Sequence, residues 1–150
     1  MNDNNVLVRF WNLQLKVGEK VAWLPPLLAR ISTGSVFIIS GWGKLHNLEK
    51  VSMFFAQLGI PAPQIQAPFV ASVEFGCGLA VLLGLFTRLT TIPLIIVMIV
   101  AIATAKWAQL SSVVELFGIE EFLLIVLLFW LRMTGPGKIS LDQLILKDRK

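Results

Sequence analysis

The chain has one cysteine, one histidine and no tyrosine in 150 residues, and only 15% of its residues are charged. Cys77 alone forms no internal disulfide, which excludes every mechanism that shuttles electrons through a dithiol within one chain. His46 alone does not supply two axial ligands to a haem, and no His/Cys cluster offers zinc a site, so no haem or metal is expected. A phosphate-cradling loop is missing too, because Gly41 and Gly43 fall inside an apolar run. What is abundant is apolar: 56% of residues are hydrophobic, and mean hydropathy is +0.78. That excludes disorder. A chain this short also has too much surface for its volume to hide so many apolar side chains from water, so its solvent is a bilayer.

A helix needs about 20 apolar residues to cross the hydrocarbon layer. Four segments approach this, at about 25–43, 69–86, 92–107 and 115–132, and predict an all-α, membrane-spanning four-helix bundle as one domain over 1–150. Pro68 stands before the second segment and Pro93 in the first turn of the third, where a missing N–H costs little. Thr90 and Thr91 are candidate caps for that third helix. The residues between Phe86 and Thr91 leave room only for a tight turn, so the second and third spans form an antiparallel hairpin. The start of the fourth span has two solutions. Ser112 with Glu115 has capping-box spacing, which starts it near Val113; if Gly118 interrupts the helix, it starts near Ile119, with Glu120 and Glu121 at the positive end of the dipole.

Trp23, Trp42, Trp107 and Trp130 fall at span ends, where indoles favour the headgroup boundary. The side carrying both termini holds Arg9, Lys16, Lys20, Arg88, Arg132, Lys138, Lys147, Arg149 and Lys150, against Lys44, Lys50 and Lys106 opposite. The positive-inside bias makes both termini cytoplasmic. The net charge of +4 is accounted for by this topology and does not argue for nucleic acid. No signal peptide is expected, since no basic stretch directly precedes an apolar one at the N-terminus.

Outside the spans, residues 6–23 carry Val6, Phe10, Leu13, Val17 and Val21 with interleaved cations, the pattern of an interfacial helix, although Leu13–Val17 also alternates like a strand. In the external loop, Asn47 can cap an amphipathic helix with Val51, Phe54, Phe55 and Leu58 on one face, stopped by Gly59 and Pro61. That helix rests on the bilayer, plugs the bundle mouth, or forms a lid over a cavity. Ser72, Gly76, Ala80 and Gly84 form a small-residue stripe suited to close helix approach; Cys77 and Gly78 lie beside it.

A charge in hydrocarbon costs at least ~2.5 kcal/mol, so it usually faces the bundle interior with a partner. Topology brings Lys44, His46, Glu74, Lys106, Glu120 and Glu121 toward the external third, with Glu74 about one and a half turns below its helix end. Arg30 lies in the opposite half, nearer Arg88 and the C-terminal segment. Two readings follow: ion pairs that fix helix register, or the walls of an outward-opening polar pocket with Glu74 as the proton-accepting or cation-binding group.

Several fragments occur in a fixed order: Arg30, Gly34, Phe37, Gly41, Lys44 and Leu45; Gly59, Ile60 and Pro61; Glu74 followed by glycines; Gly84, Leu85, Phe86, Thr87 and Arg88; Gly135, Pro136 and Gly137 with Ser140, Leu141 and Asp142. Together they resemble the DoxX family of small integral membrane proteins, from about Arg30 to Asp142. The resemblance implies a four-helix inner-membrane protein, linked in some relatives to quinone-coupled sulfur oxidation or to complexes that handle oxidative stress. It points to Arg30, Lys44, Glu74 and Arg88 as positions to test. The expectation is a subunit or partner of a quinone-linked redox system, its pocket taking a quinone head or small anion and its partners being lipid, another redox subunit or further copies of itself. A non-catalytic scaffold or assembly factor is the alternative. Transport of a small solute or protons is less favoured, because no inverted repeat provides for alternating access.

Overall fold

A computed structural model describes residues 6–147, and all regular structure among them is helical. Helix α1 covers Val6–Val21, α2 Leu24–Leu45, α3 Leu48–Gln57, α4 Pro63–Leu83 and α5 Thr87–Ala101; α6 is a single turn at Val113–Leu116, α7 covers Glu120–Thr134 and α8 Leu141–Lys147. Beyond α5 the chain continues as a π-helical turn, Ile102–Lys106, and a 3-10 turn, Trp107–Gln109. Residues 1–5 and 148–150, including Arg149 and Lys150 of the orienting charge count, lie outside the described residues.

Three helical stretches are long and apolar enough to cross a membrane: Leu24–Leu45, Pro63–Leu83 and Thr87–Gln109. The fourth expected span is shorter. The backbone is extended at Ile119 (ψ 145°), and α7 starts at Glu120, not at residue 115; its 15 residues rise about 22 Å. Ser112 makes no side-chain cap. The Glu115 carboxylate instead accepts the Ser111 N–H at 2.8 Å, and the single turn closes before Gly118. Of the two sequence solutions, the interruption at Gly118 is the one present.

Helices α4 and α5 begin earlier than the proline pattern predicts, at Pro63 and Thr87, which places Pro68 and Pro93 inside them. Each proline deprives the carbonyl four residues before it of a donor, a defect that membrane helices tolerate. Thr90 and Thr91 therefore do not cap α5. Its cap arrives from 55 and 56 residues away: the Asp142 carboxylate accepts the Phe86 N–H at 2.7 Å and the Thr87 N–H at 3.1 Å. The same contact holds Phe86 at φ +47°, which together with Gly84 at φ +68° makes the expected hairpin turn. A side chain at Gly84 would be strained by its φ and would also strike the Arg30 guanidinium.

Helix α2 packs most extensively on α4, and α5 on α7, with α4 also against α5 and α3 laid on α4. The core is Ala29, Phe37, Val81, Leu94, Met98, Leu128 and Leu131. The small-residue stripe in contact is not the expected one. Ser72 and Gly76 are exposed, whereas Ala67, Ala71, Glu74, Gly78 and Val81 are buried against α2 and the core. A Cβ at Gly41 would lie 2.5 Å from the Phe75 nitrogen, and one at Gly78 would lie 2.8 Å from the Phe37 Cβ, whereas one at Gly76 meets nothing within 4 Å. Gly41→Val is thus expected to push α2 off α4 and lower the melting temperature in detergent sharply. Gly76→Ala is expected to leave it unchanged or raise it, since alanine favours helix by up to ~1 kcal/mol. Equal losses at both positions would contradict this packing.

Trp23, Trp42, Trp107 and Trp130 are exposed near helix ends, as an interfacial belt requires, and the broad exposure of Leu, Ile, Val and Phe elsewhere presents an apolar face to lipid.

Candidate functional site

The α2–α4 contact that excludes side chains at Gly41 and Gly78 also sets the distance between Lys44 and Glu74. Glu74 belongs to the buried stripe of α4 and has no exposed surface. Lys44 stands one turn beyond Ser40 on α2, so both face Glu74. The ammonium donates to both carboxylate oxygens at 2.5 and 2.6 Å, and the Ser40 hydroxyl donates to one of them at 2.9 Å. The Lys44 side chain keeps 29% of its surface accessible, which leaves its third N–H free to meet a ligand. Since α4 begins at Pro63, Glu74 lies deeper than expected, eleven residues in and about 16 Å down the helix.

This cluster lies at the wall of a cavity of about 590 Å³ bounded by α2, α3, α4, α5 and α7, within the size range of small-molecule sites. Most of the lining is apolar, including Val36, Phe37, Val51, Phe55, Val70 and Val97; the polar exceptions are Ser40, Lys44, Lys50, Gln66, Glu74, Thr104, Glu120 and Glu121. The greasy face of α3 lines the cavity through Val51, Phe54, Phe55 and Leu58. Asn47 does not cap that helix; its amide donates back to the Gly43 carbonyl at 2.9 Å.

The remaining expected pocket residues divide. Glu120 and Glu121 line the cavity from the first turn of α7, where the helix dipole favours them. Lys106 is not a lining residue; it approaches Glu121 at 3.6 Å with 41% of its side chain accessible, a loose pair of small energetic weight. His46 is exposed, turned back on its own helix with Nδ1 2.9 Å from the Trp42 carbonyl and its ring stacked on that indole. Among the described residues no group of three or more His, Cys, Asp and Glu could hold a metal ion. Sequence reasoning missed Ser40, Lys50, Gln66 and Thr104; for Ser40 the available signal was its four-residue spacing from Lys44.

Arg30 lies at the opposite end of the bundle, 3% exposed, and its partners are all carbonyls. Its guanidinium donates to Val81 at 3.0 Å, Leu82 at 2.7 Å, Pro136 at 3.0 Å and Ile139 at 2.5 Å. It thereby caps the negative end of α4 and fastens the Gly135–Gly137 segment to it. Arg88 is exposed nearby, and its carbonyl accepts from Arg132 at 2.5 Å.

Comparison with known proteins agrees with this architecture. The DoxX family model matches residues 26–107, which includes Arg30, Lys44, Glu74 and Arg88. Over 126 residues the chain is 31% identical to "Putative oxidoreductase CatD" of Bacillus subtilis (strain 168), covering 83% of this chain and 89% of that one. It is 30% identical over 131 residues to inner membrane protein YqjF of Escherichia coli (strain K12), covering 81% and 92%. It is 35% identical over 138 residues to the uncharacterized membrane protein Rv3486 of Mycobacterium tuberculosis (strain ATCC 25618 / H37Rv), covering 82% and 83%. No solved structure matches the chain.

Proposed function

This chain belongs to the DoxX family of membrane proteins, and on that premise we propose that it is an inner-membrane partner of a quinone-linked redox system whose cavity holds a quinone head. The observation that carries this reading is the Ser40–Lys44–Glu74 cluster at the wall of an otherwise apolar cavity. The residues fit such a group. Quinone oxygens are acceptors, for which the Lys44 N–H not directed at Glu74 is a donor; the Glu74 carboxylate, which has no accessible surface of its own, can receive a proton from a reduced head through the Ser40 hydroxyl bonded to it; Val36, Phe37, Val70 and Val97 suit an apolar ring. A bound quinone supplies reversible two-electron, two-proton chemistry. The chain's own part is to orient the head through Lys44 and hold a proton at Glu74.

With a single cysteine and a single histidine the chain has no dithiol of its own, so electrons come from a partner subunit. The relative named "Putative oxidoreductase CatD", and the one named as an inner membrane protein, support this reading. In the same reading α7 is the fourth span. It runs antiparallel to α5, with Glu121 beside Lys106 at one end and Arg132 on the Arg88 carbonyl at the other, and the cation bias supports cytoplasmic termini.

Protein extracted from membranes is expected to carry quinone in near-stoichiometric amount by chromatography, and Glu74→Gln several-fold less. Quinone no higher than in an unrelated membrane protein purified alongside would contradict the proposal. The competing scaffold reading draws on the same ion pair as a staple between α2 and α4; it expects Glu74→Gln to lower stability with no change in ligand content.

A further inference from the structure

Residues that line the cavity and are also open to the outside mark its mouths. On one side these are Phe69 on α4, at 62% exposure, with Ile96 at 54% and Val100 at 45% on α5. Wall residues of a closed chamber would not show so much surface, and none of the three is polar. Their depth follows from the hairpin. Phe69 is 14 residues before the end of α4, and Ile96 and Val100 are nine and 13 residues after the start of α5, so the three lie about 14–21 Å from the turn, within a hydrocarbon layer roughly 30 Å thick. The other mouth is different in kind. Under α3 the exposed lining residues include Lys50 and Glu120, both charged.

We infer that the cavity is entered sideways from the bilayer, between α4 and α5, and that its ligand is a long-tailed lipid whose chain leaves through the gap at Phe69, Ile96 and Val100 while its oxygen-bearing head sits at Lys44 and Glu74. This rests on the quinone reading and specifies it. The mouth faces acyl chains, so a tail passing through it exchanges one apolar surface for another, whereas a free polar solute arriving by that route would cross hydrocarbon unsolvated. Phe69, Ile96 and Val100 therefore select for a ligand already dissolved in the membrane.

The test uses the full chain in nanodiscs with two probes, a decyl-tailed benzoquinone and the same head bearing only a methyl group, with affinities expressed per mole fraction in the bilayer. The tailed probe is expected to bind at least tenfold more tightly. Ile96→Trp, which fills the lateral gap at a lipid-facing position, is expected to weaken the tailed probe at least tenfold and the tail-less one little; Val100→Phe provides a milder variant of the same effect. Ile99→Trp, a lipid-facing position of α5 at 52% exposure that does not line the cavity, is expected to change neither. Equal affinities with no effect of Ile96→Trp and Val100→Phe, or an equal loss at Ile99→Trp, would overturn lateral entry and leave the head site standing. Failure of both probes to bind the unaltered chain would remove the quinone reading and this inference together.

Discussion

Arg30→Met is expected to lower the melting temperature in detergent by roughly 10 °C or more, although it lies far from the cavity. Methionine replaces most of the volume and none of the donors. Val81 keeps one partner, since the Gly84 N–H also reaches its carbonyl at 3.0 Å, but the Leu82, Pro136 and Ile139 carbonyls lose the guanidinium that binds them. These three bonds are part-buried; a hydrogen bond to a charged donor contributes about 1.5–3 kcal/mol, so losing three amounts to about 4 kcal/mol at the low end, and about 1 kcal/mol corresponds to a few degrees in a domain of this size. Arg30→Lys is expected to fall between, because an ammonium does not span four carbonyls on two segments. Circular-dichroism melting checks the series, and an Arg30→Met curve that overlays the parent would contradict the role of Arg30 as the fastening between α4 and the C-terminal segment. Quinone content per folded molecule is expected to stay unchanged.

The second large effect separates stability from binding at the ion pair. Lys44→Met leaves the Glu74 carboxylate buried with only Ser40 as partner. Stranding one member of a buried pair costs about 3–5 kcal/mol, and the partial accessibility of Lys44 puts this case near the lower figure. Lys44→Met/Glu74→Leu removes the stranded charge and is expected to recover most of that loss, because apolar side chains often replace a buried pair at no net cost. A double variant no more stable than Lys44→Met would contradict that assignment of the loss.

Much of this was legible in the residues. Apolar runs marked α2, α4, α5 and α7, and the short interval after Phe86 marked the hairpin. The i, i+3, i+4, i+7 spacing of Val51, Phe54, Phe55 and Leu58 marked α3. Helix starts were less so, for identifiable reasons. The cap on α5 comes from Asp142, more than 50 residues away in sequence, and no local rule sees it. Pro68 reads as a boundary by the rules of soluble helices, yet in α4 it is interior. The contact stripe was recoverable. Glu74 and Gly76 are two residues apart, which places them on roughly opposite faces of a helix, and a carboxylate in hydrocarbon belongs on the inner face. Glu74 thus identifies Ala71 and Gly78, rather than Ser72 and Gly76, as the inner residues. The partners of Arg30 were hidden for another reason: they are backbone carbonyls, which carry no residue-type signal.

The claim on which the rest depends is that the ammonium and carboxylate of Lys44 and Glu74 serve a ligand and not only the packing of α2 on α4. The affinity of the Lys44→Met/Glu74→Leu variant for the decyl-tailed quinone, measured by calorimetric titration in nanodiscs, tests it most directly. At least tenfold weaker binding by a protein with near-parental melting is the predicted result; parental affinity would show that the pair only joins two helices.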